Sequence, residues 1–246
     1  MSPFLIARSL VSAAALGLIL GGCQRDTSTA EPGATVTTRE LAPPVVATPA
    51  TTPVAEVIDL TPLPGKEAVV PELTQKTTIN MQTSAGDLVI EVYPQAAPNA
   101  AMRFIELVES GFYNDTPISR VVPGFVAQFG INWREGQKDW ENRHFNDDPT
   151  LFALERGTLA FAKAGIDTNS TQVFINYAEN SRLAEPQYNF TVFGRIVRGM
   201  EVVDSFADVG EPGMGLDQGA LWSNGGEYLE SLDEKPTMIL RASVVE

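Results

Sequence analysis

From Thr77 to Glu246 the chain is cut into short runs of β-forming residues, each closed off by a turn signal. Thr77–Thr83 alternates, with Ile79 and Met81 on one face. Ser84-Ala85-Gly86-Asp87 follows as a turn and Leu88–Tyr93 alternates again, which predicts a hairpin. Further runs lie at Ile118–Val122, Phe125–Phe129, Gly157–Ala162, Val173–Tyr177, Thr191–Val197 and Met238–Val245. Pro98-Asn99 opens a helical pattern in which Ala101, Phe104, Ile105 and Val108 share a face, with Gly111 placed to terminate it. Met200–Phe206 reads as a second short helix, and the acidic run Glu227–Glu234 as a solvated surface turn. Eight short strands and two helices predict a mainly β domain over 77–246, a closed antiparallel eight-stranded β-barrel capped by two α-helices. Closure removes the exposed edges that so many short strands would otherwise present.

The residues before Thr77 follow different rules. Arg8 is the only charge ahead of an apolar run, Leu10 to Leu20, which is short for a membrane span. Residues 1–22 therefore read as a signal peptide. The run ends in Leu20-Gly21-Gly22-Cys23, which resembles the bacterial lipobox, where cleavage precedes a lipid-bearing Cys. Cys23 is the expected acylation site, the chain's only cysteine, and its acyl chains would anchor it to a membrane. An ordinary signal peptide with a chance Cys is the plain alternative. In a Gram-negative cell, Gln24 after that Cys resembles an outer-membrane sorting signal, facing the periplasm. Residues 23–76 are rich in Thr, Ala, Val, Pro and Glu and almost free of aromatics. Such a stretch buries too little apolar area to offset its chain entropy, so a disordered tether is expected, spanning roughly 40 Å as a coil.

Composition removes several functions. The formal net charge of -14 argues against nucleic-acid binding, which needs clustered Lys and Arg. One Cys precludes an internal disulfide, and one His, His144, speaks against a zinc site. No metal or cofactor is expected, and His144, among Asn142, Arg143, Asn146 and Asp147, reads as a solvated loop residue.

Five motifs carry a resemblance. They are Gly111-Phe112-Tyr113-Asn114-Asp115-Thr116, Ile118 to Gln128 (I-S-R-V-V-P-G-F-V-A-Q), Gly157 to Ala162 (G-T-L-A-F-A), Thr168 to Ile175 (T-N-S-T-Q-V-F-I) and Val192 to Met200 (V-F-G-R-I-V-R-G-M). In this order and spacing they resemble the cyclophilins, peptidyl-prolyl cis/trans isomerases, over nearly all of 77–246. The resemblance implies that Arg120 donates to the proline nitrogen of a twisted X-Pro amide. It implies that Gln128 and Gln172 bond the substrate backbone, Gln128 also holding Arg120. Phe125, Val126, Phe174 and Leu183 would form a proline pocket, although as isolated apolar residues they read equally as barrel core. Ala162 and Lys163 stand where the family clamps the peptide through main-chain groups, and Phe190 near a pocket-lining position.

This sequence departs from the family pattern at several places. Ser119 replaces a His of the pocket wall, where the resemblance implies that it contacts the substrate, and Arg182 stands where a Trp or Phe is common, which puts tight cyclosporin binding in doubt. The loop from Asn132 to Asp148 lacks the expected glycines and carries Trp133, Arg134 and Trp140. The expectation is a monomeric, lipid-anchored prolyl isomerase that assists exported proteins at their proline-containing unfolded or loop segments. The alternative is a weakly active or inactive proline-peptide-binding module on the same fold, or a scaffold acting through the Trp133–Trp140 loop.

Overall fold

The computed structural model describes residues 60–245. The signal peptide, Cys23 and most of the expected tether lie outside the described residues. Eight strands form the barrel: β1 (Thr77–Thr83), β2 (Gly86–Val92), β3 (Thr116–Val122), β4 (Val126–Phe129), β5 (Thr158–Phe161), β6 (Val173–Asn176), β7 (Val192–Arg198) and β8 (Met238–Val244). Their order around the closed barrel is β1-β2-β7-β5-β6-β4-β3-β8, and every pairing is antiparallel.

Alternation decides which side chains fill the interior. On β1, Ile79 and Met81 point inward; on β4, Ala127 and Phe129; on β6, Val173 and Ile175. Helix α1 (Pro98–Glu109) closes the barrel with Phe104, Leu107 and Val108, and the Phe104 ring meets Phe193 at 5.1 Å and Tyr113 at 5.4 Å. Its end is fixed by Gly111 at φ +70, where the Phe112 N–H reaches the Leu107 carbonyl and the Gly111 N–H the Val108 carbonyl. Its start is capped from a distance: Asp148 accepts from the Asn99 and Ala100 N–H groups at 3.2 and 2.9 Å. The second expected helix is one turn, α2 (Met200–Val203).

Two expectations are corrected. A third helix, α3 (Gln218–Ser231), occupies part of what reads as an acidic turn, with a non-helical break at Asn224. Leu221 and Trp222 bury, and the Trp133 indole lies against Gly225 so closely that a Cβ there would fall 2.3 Å from it. Contact with the Trp133 loop therefore holds a helix that sequence periodicity alone does not announce. The tether expected to reach residue 76 also ends sooner. From Leu60 onward the chain is laid along the barrel wall: Leu63 donates to Leu151 O, Ala153 to Thr61 O, and Leu60, Val70 and Leu73 pack on Phe152, Leu154 and Val192. The outward residues Val126, Ala160, Phe174 and Val192 of β4 to β7 are apolar and need a cover, and residues 60–76 supply part of it.

Candidate active site

The outer face of β4, β5 and β6 is the part of the wall left open. Here Arg120, Phe125, Val126, Gln128, Ala162, Lys163, Phe174, Leu183 and Phe190 line one groove of about 240 Å³. Val126 and Phe174 face outward because Ala127, Val173 and Ile175 face inward. Phe125 arrives through the turn Val122-Pro123-Gly124-Phe125. Gly124 has φ +74 and the Phe125 N–H donates to Val122 O at 2.9 Å, as Pro-Gly at the centre of a type II turn requires. Phe190 stands edge-on to Phe174, with ring centroids 5.4 Å apart.

Arg120 reaches this face because β3 bulges. Ile118 pairs with Phe129 but Arg120 with Gln128, so Ser119 is an extra residue between them. Both Ile118 and Val121 thereby face the core, and Arg120 is turned to the groove. Ser119 is spent on the bulge: it is 1% exposed, its hydroxyl donates to Gln128 O at 3.2 Å, and its carbonyl accepts from Leu216 N. The expected substrate contact of Ser119 is thus corrected, since it lies beneath the groove. The Arg120 Nε donates to Gly213 O at 2.8 Å, and the guanidinium carbon stands 6.0 Å from the Phe125 ring centre. No carboxylate of the described residues pairs with it.

The expected Gln128–Arg120 contact is replaced by another. Gln128 Nε2 donates to Gln172 Oε1 at 2.7 Å, and Gln172 Nε2 to Gln218 Oε1 at 3.1 Å. Gln172 therefore borders the groove through Gln128. Ala162 has its N–H committed to Gln172 O, so its carbonyl is the main-chain group left to offer. Lys163 turns its side chain inward, 5% exposed, to Asp147 at 2.6 Å and Asn189 O at 2.9 Å, while Asn169 donates to the other Asp147 oxygen. Phe125 and Leu183 also border a second basin of about 640 Å³ with Glu179, Asn180, Ser181, Arg182 and Tyr188. Trp140 is buried between Arg143 and Arg103, and Trp133 lies half-buried beside Arg134, so this loop serves the domain's own packing. His144 is exposed. Among the described residues no group of three or more His, Cys, Asp or Glu is placed to hold a metal ion. Nothing in the sequence marks Gly213 or Gln218 as neighbours of the groove. A main-chain carbonyl leaves no side-chain signature, and only the glycine run Gly210–Gly215 hints at a loop brought close to β3.

Fold and groove together define a closed barrel whose outer wall sets a cation beside an apolar face. The sequence profile of the family cyclophilin type peptidyl-prolyl cis-trans isomerase/CLD matches residues 78–217, and the chain belongs to that family and is an enzyme of that class. Peptidyl-prolyl cis-trans isomerase A of Dickeya dadantii is 32% identical over 177 residues, spanning 70% of this chain and 87% of its own. A peptidyl-prolyl cis-trans isomerase of Acinetobacter baylyi is 36% identical over 148 residues, 58% of this chain and 78% of its own. The crystal structure of a cyclophilin-type isomerase of Cryptosporidium parvum superposes with a TM-score of 0.53 at 20% identity, covering 70% of this chain and 99% of that one, a likeness of fold.

Proposed function

We propose that the groove binds X-Pro segments and that Arg120 drives their isomerisation. Rotation about the imide faces a barrier of ~18–20 kcal/mol because amide resonance must be broken. The two X-Pro isomers lie within about 1 kcal/mol of each other, and uncatalysed exchange takes tens to hundreds of seconds. A catalyst must therefore favour the twisted amide over both planar forms. Twisting returns a lone pair to the proline nitrogen, and a guanidinium beside an apolar wall stabilises it more strongly than water does. The carrying observation is that Arg120 is fixed through Nε to Gly213 O, beside Phe125 and unpaired with any described carboxylate, which leaves its Nη groups to donate. Val126, Phe174, Leu183 and Phe190 would hold the ring of the proline, and Gln128 the peptide backbone. A protease-coupled assay of an Ala-Pro-Phe peptide tests this. Arg120→Ala is expected to lower kcat/KM by about 10²-fold, the usual effect of removing a preorganised donor, with the fold intact by circular dichroism. Background turnover in the unaltered chain would instead favour a proline-peptide-binding module.

The proposed setting is the cell envelope, where the chain, anchored through Cys23, would serve exported proteins from the periplasmic face of the outer membrane of a Gram-negative cell. Leu10–Leu20 followed by Leu20-Gly21-Gly22-Cys23 supports that reading. Cys23→Ser is expected to leave the precursor uncleaved and without incorporated labelled fatty acid. Normal cleavage of that variant, or fatty-acid labelling equal to that of the unaltered chain, would overturn it.

A further inference from the structure

We propose that Gln218, on the α3 helix, is a positioning residue that sets which end of the Gln128 amide faces the groove. The inference rests on the reading of that groove as the isomerase site. Three primary amides stand in series. Each has one accepting oxygen and one donating nitrogen, so the orientation of one dictates the next. Gln218 offers Oε1 to Gln172 Nε2 at 3.1 Å. Gln172 must then turn Oε1 toward Gln128, whose Nε2 donates to it at 2.7 Å. Gln128 Oε1, without a partner among the described residues, is left to the groove that its side chain lines, an acceptor for an N–H of a bound peptide.

The main chain that carries Gln218 is pinned on both sides of the loop. Leu216 is buried and its N–H donates to Ser119 O at 2.8 Å, on the same bulge that aims Arg120. Asp217 caps α3 by accepting from Ala220 N at 2.9 Å, and its own N–H donates to Tyr228 Oη at 3.0 Å. Gln218 is the next residue, and its side chain is half-buried. The segment 213–218 thus touches both halves of the site: Gly213 O takes Arg120 Nε, and Gln218 Oε1 takes Gln172 Nε2.

Substitutions by hydrogen-bonding type test the series. In the full chain Gln218→Ala frees Gln172 to turn, and kcat/KM for an Ala-Pro-Phe peptide is expected to fall roughly fivefold, about one hydrogen bond, mainly through KM. Gln218→Glu, which at neutral pH only accepts, is expected to recover most of that loss. Gln218→Lys, which only donates, forces Gln172 and Gln128 to reverse and is expected to fall at least as far as Gln218→Ala. The side-chain amide NMR signals of Gln128 and Gln172 in the free protein decide the matter without turnover. They should move in Gln218→Lys and hold in Gln218→Glu. Signals unmoved by Lys, or a Glu variant no better than Ala, overturn the proposal. An unaltered chain that does not turn over removes the isomerase reading while the amide signals still decide the relay.

Discussion

Lys163 carries an ammonium into the wall of an apolar groove and finds two acceptors and a ring face there. Its Nζ meets Asp147 and the Asn189 carbonyl and lies 5.5 Å from the Phe190 ring, while Asn169 satisfies the other Asp147 oxygen. With side-chain exposures of 5% and 11%, the pair is shielded enough that breaking it costs more than forming it gains. Asp147→Ala is accordingly expected to destabilise the domain by about 3–5 kcal/mol, read by urea unfolding. Lys163→Met added to Asp147→Ala should recover much of that, because it removes the stranded charge. If the double variant is no more stable than Asp147→Ala, the charge is not the cause. In sequence, the resemblance implies only a main-chain role for Lys163, and a lysine is by default a surface group, so nothing announces a buried ammonium. Its partner lies sixteen positions back in a loop with no periodicity to place it. Arg120 and Phe125 were legible because a Pro-Gly turn and a motif bracket them; the bulge that spends Ser119 was not, since a single extra residue leaves no mark in an alternation of mixed character.

At the level of elements, the barrel strands were readable because period-2 alternation records which face is buried. Helix α3 was not: Asn224, Gly225 and Gly226 interrupt its pattern, and the Trp133 ring that selects for Gly225 comes from a distant loop. The stretch 60–76 was not readable either, because its apolar residues are sparse and matter only against the outward faces of β4 to β7. The same loop that supplies Trp133 supplies the cap of α1. Burial pushes the Asp148 carboxyl above its ordinary value, opposed by the N–H groups of Ala100 and Asn99. Burial wins, so the folded state holds this proton more tightly than the unfolded chain does. Stability from this group is therefore full below the unfolded value of 3.8 and falls as pH rises above it. Asp148 Oδ1 accepts from Asn99 N and Oδ2 from Ala100 N, and an amide keeps only one of those acceptors while removing the buried charge. Asp148→Asn is therefore expected to lower the melting temperature at pH 7 less than Asp148→Ala, whose loss of the cap costs about 1 kcal/mol. A drop in Asp148→Asn as large as that of Asp148→Ala would show that both carboxylate oxygens are needed.

Over the whole molecule, closure joins strands far apart in sequence, and single contacts fasten the ends. β6 runs out at Tyr177, whose Oη donates to Val203 O at 2.8 Å and so ties the strand beside the groove to α2. Burial raises the Tyr177 phenol to about 12, helped by the charges of Asp204 and Asp208 and opposed by Arg156. The folded state holds the proton about two pH units above the ordinary tyrosine value of 10.0. Below pH 10 the contribution of this group is complete; between pH 10 and about 12 it is progressively lost, on the order of 2–3 kcal/mol in all. Tyr113, fully buried and also raised, acts in the same direction. A chain of formal charge -14 also repels itself more as every tyrosine ionises, so the absolute fall in stability does not isolate one residue. The difference between the unaltered chain and Tyr177→Phe does. At pH 7 the variant should be less stable by about 1 kcal/mol, the net worth of the lost hydrogen bond. By pH 11 the gap should close or reverse, because phenylalanine has no proton to lose. Urea unfolding at pH 7, 10 and 11 measures it, and a gap constant across that range would mean that Tyr177 ionises in the folded barrel as readily as in the open chain.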